Sequence, residues 1–136
     1  MKLLIVEDNL PVRRMLRQMV VDLAEEISEC GNGTEAVTRY HNEQPDCVVM
    51  DIHLPGINGL AATAQITTAF PAARVFVVTG LDEAGVREAA FAAGASGFVL
   101  KENMSELRQH LRLEITHGNA QESSLSSIPA TQAERN

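Results

Sequence analysis

Short apolar runs alternate with amphipathic stretches along the whole chain, and each apolar run ends at a polar residue. Leu3-Leu4-Ile5-Val6 is continuous, the pattern of a strand covered on both faces in a parallel sheet, and it stops at Glu7-Asp8. Asn9 then offers a helix N-cap and Pro11 a first-turn residue. Val12, Met15, Leu16, Met19 and Leu23 recur at helical spacing behind them. A weaker strand is expected at Ile27 to Cys30, a helix at about Thr34 to Asn42, and a strand at Cys47 to Met50 that delivers Asp51. The same alternation predicts a helix from Gly59 to Ala69, a strand from Val75 to Val78 ending at Thr79-Gly80, and an Ala-rich helix from about Asp82 to Ala93. Last come a strand at Phe98 to Leu100, ending at Lys101, and a helix from Ser105 to about Thr116, with Leu107, Leu111 and Ile115 on one face. Five strand-helix units in succession imply a parallel sheet with helices on both sides and right-handed crossovers.

Composition narrows the picture. At 136 residues and 45% hydrophobic content the chain can bury one core, and it is too short for two ordinary domains. The domain is expected to span 1–117. Residues 118–136, GNAQESSLSSIPATQAERN, lose apolar periodicity and are expected to form a flexible tail with no output domain. A formal net charge of -7 gives no footprint for nucleic-acid phosphates. Cys30 and Cys47 form no CxxC pair and read as buried packing residues. The apolar start is too short for a signal-peptide core, and no run is long enough to span a bilayer. These features predict a cytoplasmic, soluble protein that binds neither membrane nor nucleic acid.

The polar residues at strand ends are the candidate chemistry. In an open α/β sheet, ligands bind outside the carboxyl ends of the strands, where the winding reverses. Those ends carry Glu7-Asp8, Asp51, Thr79 and Lys101. If the first and third strands are neighbours, about 4.8 Å apart, Asp8 and Asp51 repel each other unless a cation lies between them. Mg²⁺ or Mn²⁺, hard ions that take oxygen ligands, suit that demand.

The segments IVEDN, VVMDIHLPGINGL, VVTG and AGASGFVLK resemble, in order and spacing, the landmarks of the two-component response-regulator receiver domain. The resemblance covers about Lys2 to Thr116. It implies a flavodoxin-like fold with strand order 2-1-3-4-5 and Asp51 as phosphoacceptor. It further implies that Asp8 ligates Mg²⁺ directly, Glu7 through water, and His53 by its backbone carbonyl. Thr79 and Lys101 would contact the phosphoryl group, and Phe98 would be the switch aromatic. Phe98 lacks the hydroxyl of the commoner Tyr, and Leu54 stands where Met is frequent. The implied partners are a histidine kinase or histidine phosphotransfer domain, which Arg13, Arg14 and Arg17 would meet. Output would pass to a protein partner, or a second copy, through the face of the fourth helix, fifth strand and fifth helix, where Leu113 is expected to point outward.

Each residue also has a plainer reading. The acids can be strand-end charges near helix N-termini, Thr79 a turn residue, Lys101 a solvated charge, Phe98 core, and His53 an exposed loop residue. The three arginines can be the solvated face of the first helix. Two other functions fit parts of the pattern. Gly31-Asn32-Gly33-Thr34-Glu35-Ala36 matches a dinucleotide-binding fingerprint, with Asp51 at the expected distance. An aspartyl phosphohydrolase would also use a strand-end Asp with Mg²⁺, but wants a second acid where His53 stands.

Overall fold

The computed structural model describes residues 1–80 and 82–127. Five parallel strands form one sheet: β1 (Lys2–Val6), β2 (Glu26–Cys30), β3 (Cys47–Asp51), β4 (Val75–Thr79) and β5 (Gly97–Leu100). Their order is β2-β1-β3-β4-β5, the flavodoxin-like arrangement, so the winding reverses between β1 and β3. The helices are α1 (Leu10–Val20), α2 (Gly33–Glu43), α3 (Gly59–Ala69), α4 (Val86–Ala92) and α5 (Met104–Ser127), with a short 3-10 helix at Lys101–Asn103.

Two apolar layers hold the helices to the sheet. On one face Leu3, Ile5, Val49, Phe76, Val78 and Val99 meet Leu16 and Val20 of α1 and Leu107 and Leu111 of α5. On the other, Leu4, Val6, Val48, Met50, Val75, Val77 and Phe98 meet α2, α3 and α4 through Ala36, Tyr40, Ala62, Ile66 and Ala90. Every residue of β3 and β4 is buried, which is why these strands read as unbroken apolar runs rather than alternating ones. Asparagines start three helices: Asn9 accepts from the Val12 N–H, Asn32 from Thr34 and Glu35, and Asn58 from Ala61. Each cap satisfies N–H groups that the helix leaves open. Asn9 and Asn32 do so within three residues of a strand end.

Three boundaries differ from the sequence reading. The first helix ends at Val20 rather than reaching Leu23, because the chain turns there and the Leu23 N–H bonds to the Val20 carbonyl. The fourth helix begins at Val86, not Asp82. Gly85 precedes it with φ +85°, a left-handed conformation that no interior helical residue adopts. The fifth helix continues through Gly118 to Ser127, so the segment expected as a tail begins inside a helix. The rest of that expected tail, 128–136, lies outside the described residues.

Candidate functional site

Sheet register assembles the acids. Val6 of β1 pairs with Met50 of β3, so Glu7 and Asp51, the next residues, emerge side by side at the carboxyl edge. Asp8 follows, and one carboxylate oxygen from each of Glu7, Asp8 and Asp51 lies within 4.8 Å of the others. Two are deeply buried, Glu7 at 1% and Asp51 at 4% exposure, while Asp8 faces solvent. Burying two carboxylates together is costly unless a cation compensates.

Lys101 supplies part of that compensation. Its ammonium donates to Glu7 Oε1 at 2.8 Å and lies 3.4 Å from Asp51 Oδ1. Glu7 is held from several sides. Its Oε2 accepts the Asn9 N–H at 3.1 Å, its N–H bonds to the Cys30 carbonyl, and its carbonyl accepts from Arg13 at 3.2 Å. Burial pushes the Glu7 carboxyl above its ordinary value, and the nearby Asp51 charge adds to this, against the lowering effect of Lys101 and the Asn9 amide. Burial alone would lower Lys101, but its hydrogen bond to Glu7 and the Asp51 charge outweigh that and hold the ammonium above its ordinary value.

Asp51 Oδ1 is a buried carboxylate oxygen with no hydrogen-bond partner among the described residues. The Lys101 ammonium is close enough for charge attraction but does not satisfy it. An oxygen so placed, beside two further carboxylates, fits a hard divalent cation. Asp8, Glu7 and Asp51 are the side chains that could hold one.

The other expected residues divide. Thr79, buried at the end of β4, pairs in register with Leu100, just before Lys101. His53 is exposed in the loop after Asp51. Phe98 is not on the rim: it is 3% exposed and sits in the layer under α4. Leu113 faces outward as expected, 57% exposed, and Phe91 of α4, which the apolar pattern placed nowhere in particular, is 46% exposed. Of Arg13, Arg14 and Arg17, it is Arg14 that stands simply in solvent. Arg13 and Arg17 reach across to Glu29 of β2. Nothing local in the sequence marks Arg13 as a prop for Glu7, because both partners come from other elements. A groove of about 580 Å³ at the opposite edge, lined by Lys2, Glu26, Ser28 and Glu43 among others, contains none of these residues.

The glycine-rich loop is occupied by protein. A Cβ on Gly33 would overlap the Ile57 carbonyl, and the Gly33 N–H donates to the Pro55 carbonyl at 3.1 Å. The α2 N–H groups of Thr34 and Glu35 are spent on Asn32. Gly56, at φ +76°, packs against Asn32 and Thr34. Of the glycines that mimic a dinucleotide fingerprint, Gly33 therefore packs against the β3-α3 loop, where a pyrophosphate would have to lie, and Gly31 against Asp8 and Arg13.

Comparison with known proteins agrees with this geometry. The model of the response regulator receiver domain matches residues 3–112. The chain belongs to that family. This receiver domain is 38% identical over 102 residues to the chemotaxis protein CheY of Listeria monocytogenes, covering 74% of this chain and 86% of that one. Among solved structures it resembles a LuxR-family DNA-binding response regulator from Staphylococcus aureus (28% identity, TM-score 0.76, 83% of this chain and 97% of that one). It also resembles the BeF3-activated N-terminal receiver domain of Klebsiella pneumoniae RstA (26% identity, TM-score 0.74, 82% and 99%).

A metal held by the acids of this receiver domain would have measurable consequences. The raised value of Glu7 means that the folded chain holds this proton more tightly than the unfolded one. Its contribution to stability is therefore present at low pH and lost as pH rises through the folded value. Asp8→Ala should weaken Mg²⁺ binding by about tenfold or more, while thermal stability in metal-free buffer stays level or rises as repulsion is relieved. In the unsubstituted chain, acidification should begin to cost Mg²⁺ affinity above the ordinary glutamate value of 4.5. Titration calorimetry reads both, and an Asp8→Ala affinity equal to that of the unsubstituted chain would remove Asp8 from the metal site.

Proposed function

We propose that the chain is a phosphorylation-dependent signalling switch that accepts a phosphoryl group on Asp51 from a histidine kinase or histidine phosphotransfer protein. The observation that carries this reading is Asp51 Oδ1, a buried, unbonded carboxylate oxygen 3.4 Å from the Lys101 ammonium. In the proposed step this carboxylate attacks the phosphorus of a phosphohistidine. The P–N bond breaks, the imidazole nitrogen leaves with the electron pair, and an acyl phosphate forms. Water later attacks the phosphorus and restores the carboxylate. A bound Mg²⁺, or Mn²⁺, supplies charge neutralisation for the transferring oxygens. Asp8 would ligate it directly, Glu7 through water, and His53 by its backbone carbonyl. Lys101 and Thr79 would contact the phosphoryl oxygens. The chain is a switch rather than a turnover enzyme.

The output partner in this reading is a protein. A net charge of -7 disfavours nucleic acid. No helix among the described residues is long and apolar enough to cross a membrane, which is compatible with the proposed work in the cytoplasm. The exposed Phe91 of α4 and Leu113 of α5 support an output surface on the α4-β5-α5 face, for a partner protein or a second copy of the chain. The likeness to a BeF3-activated receiver domain suggests a direct test. With Mg²⁺ and beryllofluoride, ¹⁹F NMR should show protein-bound fluoride that disappears on chelation and in Asp51→Asn. Bound signal that survives both changes would contradict the reading.

A further inference from the structure

Phe98 is the one proposed functional side chain that lies in the core rather than on the rim. Register pairs Val77 with Phe98 and Thr79 with Leu100. Registered residues of parallel strands share a face, and so do residues two apart on one strand. The Thr79 side chain and the Phe98 ring therefore lie on the same side of the sheet, the side that α4 covers. A phenylalanine has no hydroxyl with which to anchor itself at either an inward or an outward position. Its ring is nonetheless buried here, with the Arg87 guanidinium over its face at 4.8 Å from the centroid.

Arg87 belongs to the first turn of α4, and that turn is weakly anchored. It follows Gly85 at φ +85° and has no side-chain cap. The arginine is itself on the exposed side of the helix, yet its cation faces a ring that is almost wholly buried. A guanidinium over an aromatic face is attracted by the ring quadrupole. One contact thus joins the start of α4 to the ring on β5.

We propose that Arg87 is a positioning residue for the switch: it holds Phe98 inward, replacing the hydrogen bond that a phenol would offer, and ties the position of the ring to the first turn of α4. This rests on the assignment of Asp51 as phosphoacceptor, and it adds a residue that no landmark segment of the family resemblance contains. On this proposal the inward ring is populated even before phosphorylation. Phosphorylation then shifts a population that Arg87 has biased beforehand.

The test uses the full chain labelled with fluorophenylalanine, with Arg87→Met to keep the apolar stem and remove the charge, and Arg87→Lys to restore a cation. Because Arg87 is exposed, both variants are expected to fold, as a thermal melt would verify. The solvent sensitivity of the Phe98 ¹⁹F signal reports ring position. Arg87→Met should move the inward-to-outward ratio by roughly two- to five-fold, the range of an exposed cation–π contact, and Arg87→Lys should recover part of it. Affinity for beryllofluoride with Mg²⁺ should fall in Arg87→Met by no more than the same factor. An unchanged Phe98 signal in Arg87→Met would overturn the proposal even if Asp51 takes up phosphoryl groups normally. A changed ring with undiminished beryllofluoride affinity would overturn the link to the switch. If beryllofluoride fails to bind the unsubstituted chain, the phosphoacceptor reading falls, while the ring signal still decides whether Arg87 positions Phe98.

Discussion

Lys101→Met should slow phosphoryl uptake by on the order of 100-fold, the effect of removing one preorganised charge from a developing anionic transition state. It should also destabilise the metal-free protein in a pH-dependent way. In the folded chain Lys101 is the cation that touches both buried acids, at 2.8 Å from Glu7 and 3.4 Å from Asp51. Without it, Glu7 and Asp51 face each other with burial and mutual repulsion unopposed by an ammonium. The folded value of Glu7, already raised, rises further. The deficit should then be small at the ordinary glutamate value of 4.5 and below, where the raised Glu7 keeps its proton, and grow toward about pH 8 to roughly 2 to 3 kcal/mol. Added Mg²⁺ should recover part of it by mass action. Thermal denaturation with chelator at both pH values reads the effect, and a deficit indifferent to pH would show that Lys101 does not compensate the acids.

Gly59→Ala should be among the most damaging single methyl additions in the chain. Gly59 opens α3, and its N–H donates to the Ile52 carbonyl at 2.8 Å. A Cβ there would overlap the backbone carbonyl of Asp51. That contact is backbone, not the end of a flexible side chain, so relief requires α3 or the end of β3 to shift. Overpacking of this kind costs about 3 kcal/mol or more, a large share of the 5–15 kcal/mol that stabilises a typical domain. The midpoint of thermal unfolding should drop by on the order of 10 °C. Any folded fraction should take up phosphoryl groups poorly, because the displaced atoms carry Asp51. A melting temperature and uptake rate matching those of the unsubstituted chain would show that α3 does not pack against Asp51, the proposed phosphoacceptor, as described.

Much of this is legible in the sequence. Strands buried on both faces appear as continuous apolar runs, so Leu3 to Val6, Cys47 to Met50 and Val75 to Val78 announced themselves, and the polar residue ending each run pointed to the rim. Strand order followed from the family resemblance, and the register then placed Glu7 beside Asp51. What stayed hidden depended on backbone conformation or on contacts between distant elements. Asp82 and Glu83 look like first-turn acids of an Ala-rich helix, but the left-handed Gly85 delays its start to Val86. Gly31 and Gly33 look like phosphate-loop glycines until the Asp8 backbone and the Ile57 carbonyl are seen against them. Arg13 and Arg87 have no local signature at all, since one bonds to the carbonyl of Glu7 and the other lies over a ring on β5.

The central claim is that Asp51 is the nucleophile, and intact-mass measurement tests it most directly. The unsubstituted chain and Asp51→Asn, each shown to be folded, are incubated with a small-molecule phosphodonor, with Mg²⁺ and with chelator. The account predicts the added mass of one phosphoryl group in the unsubstituted chain with Mg²⁺, and no gain under chelation or in Asp51→Asn. The same gain in Asp51→Asn as in the unsubstituted chain would contradict it.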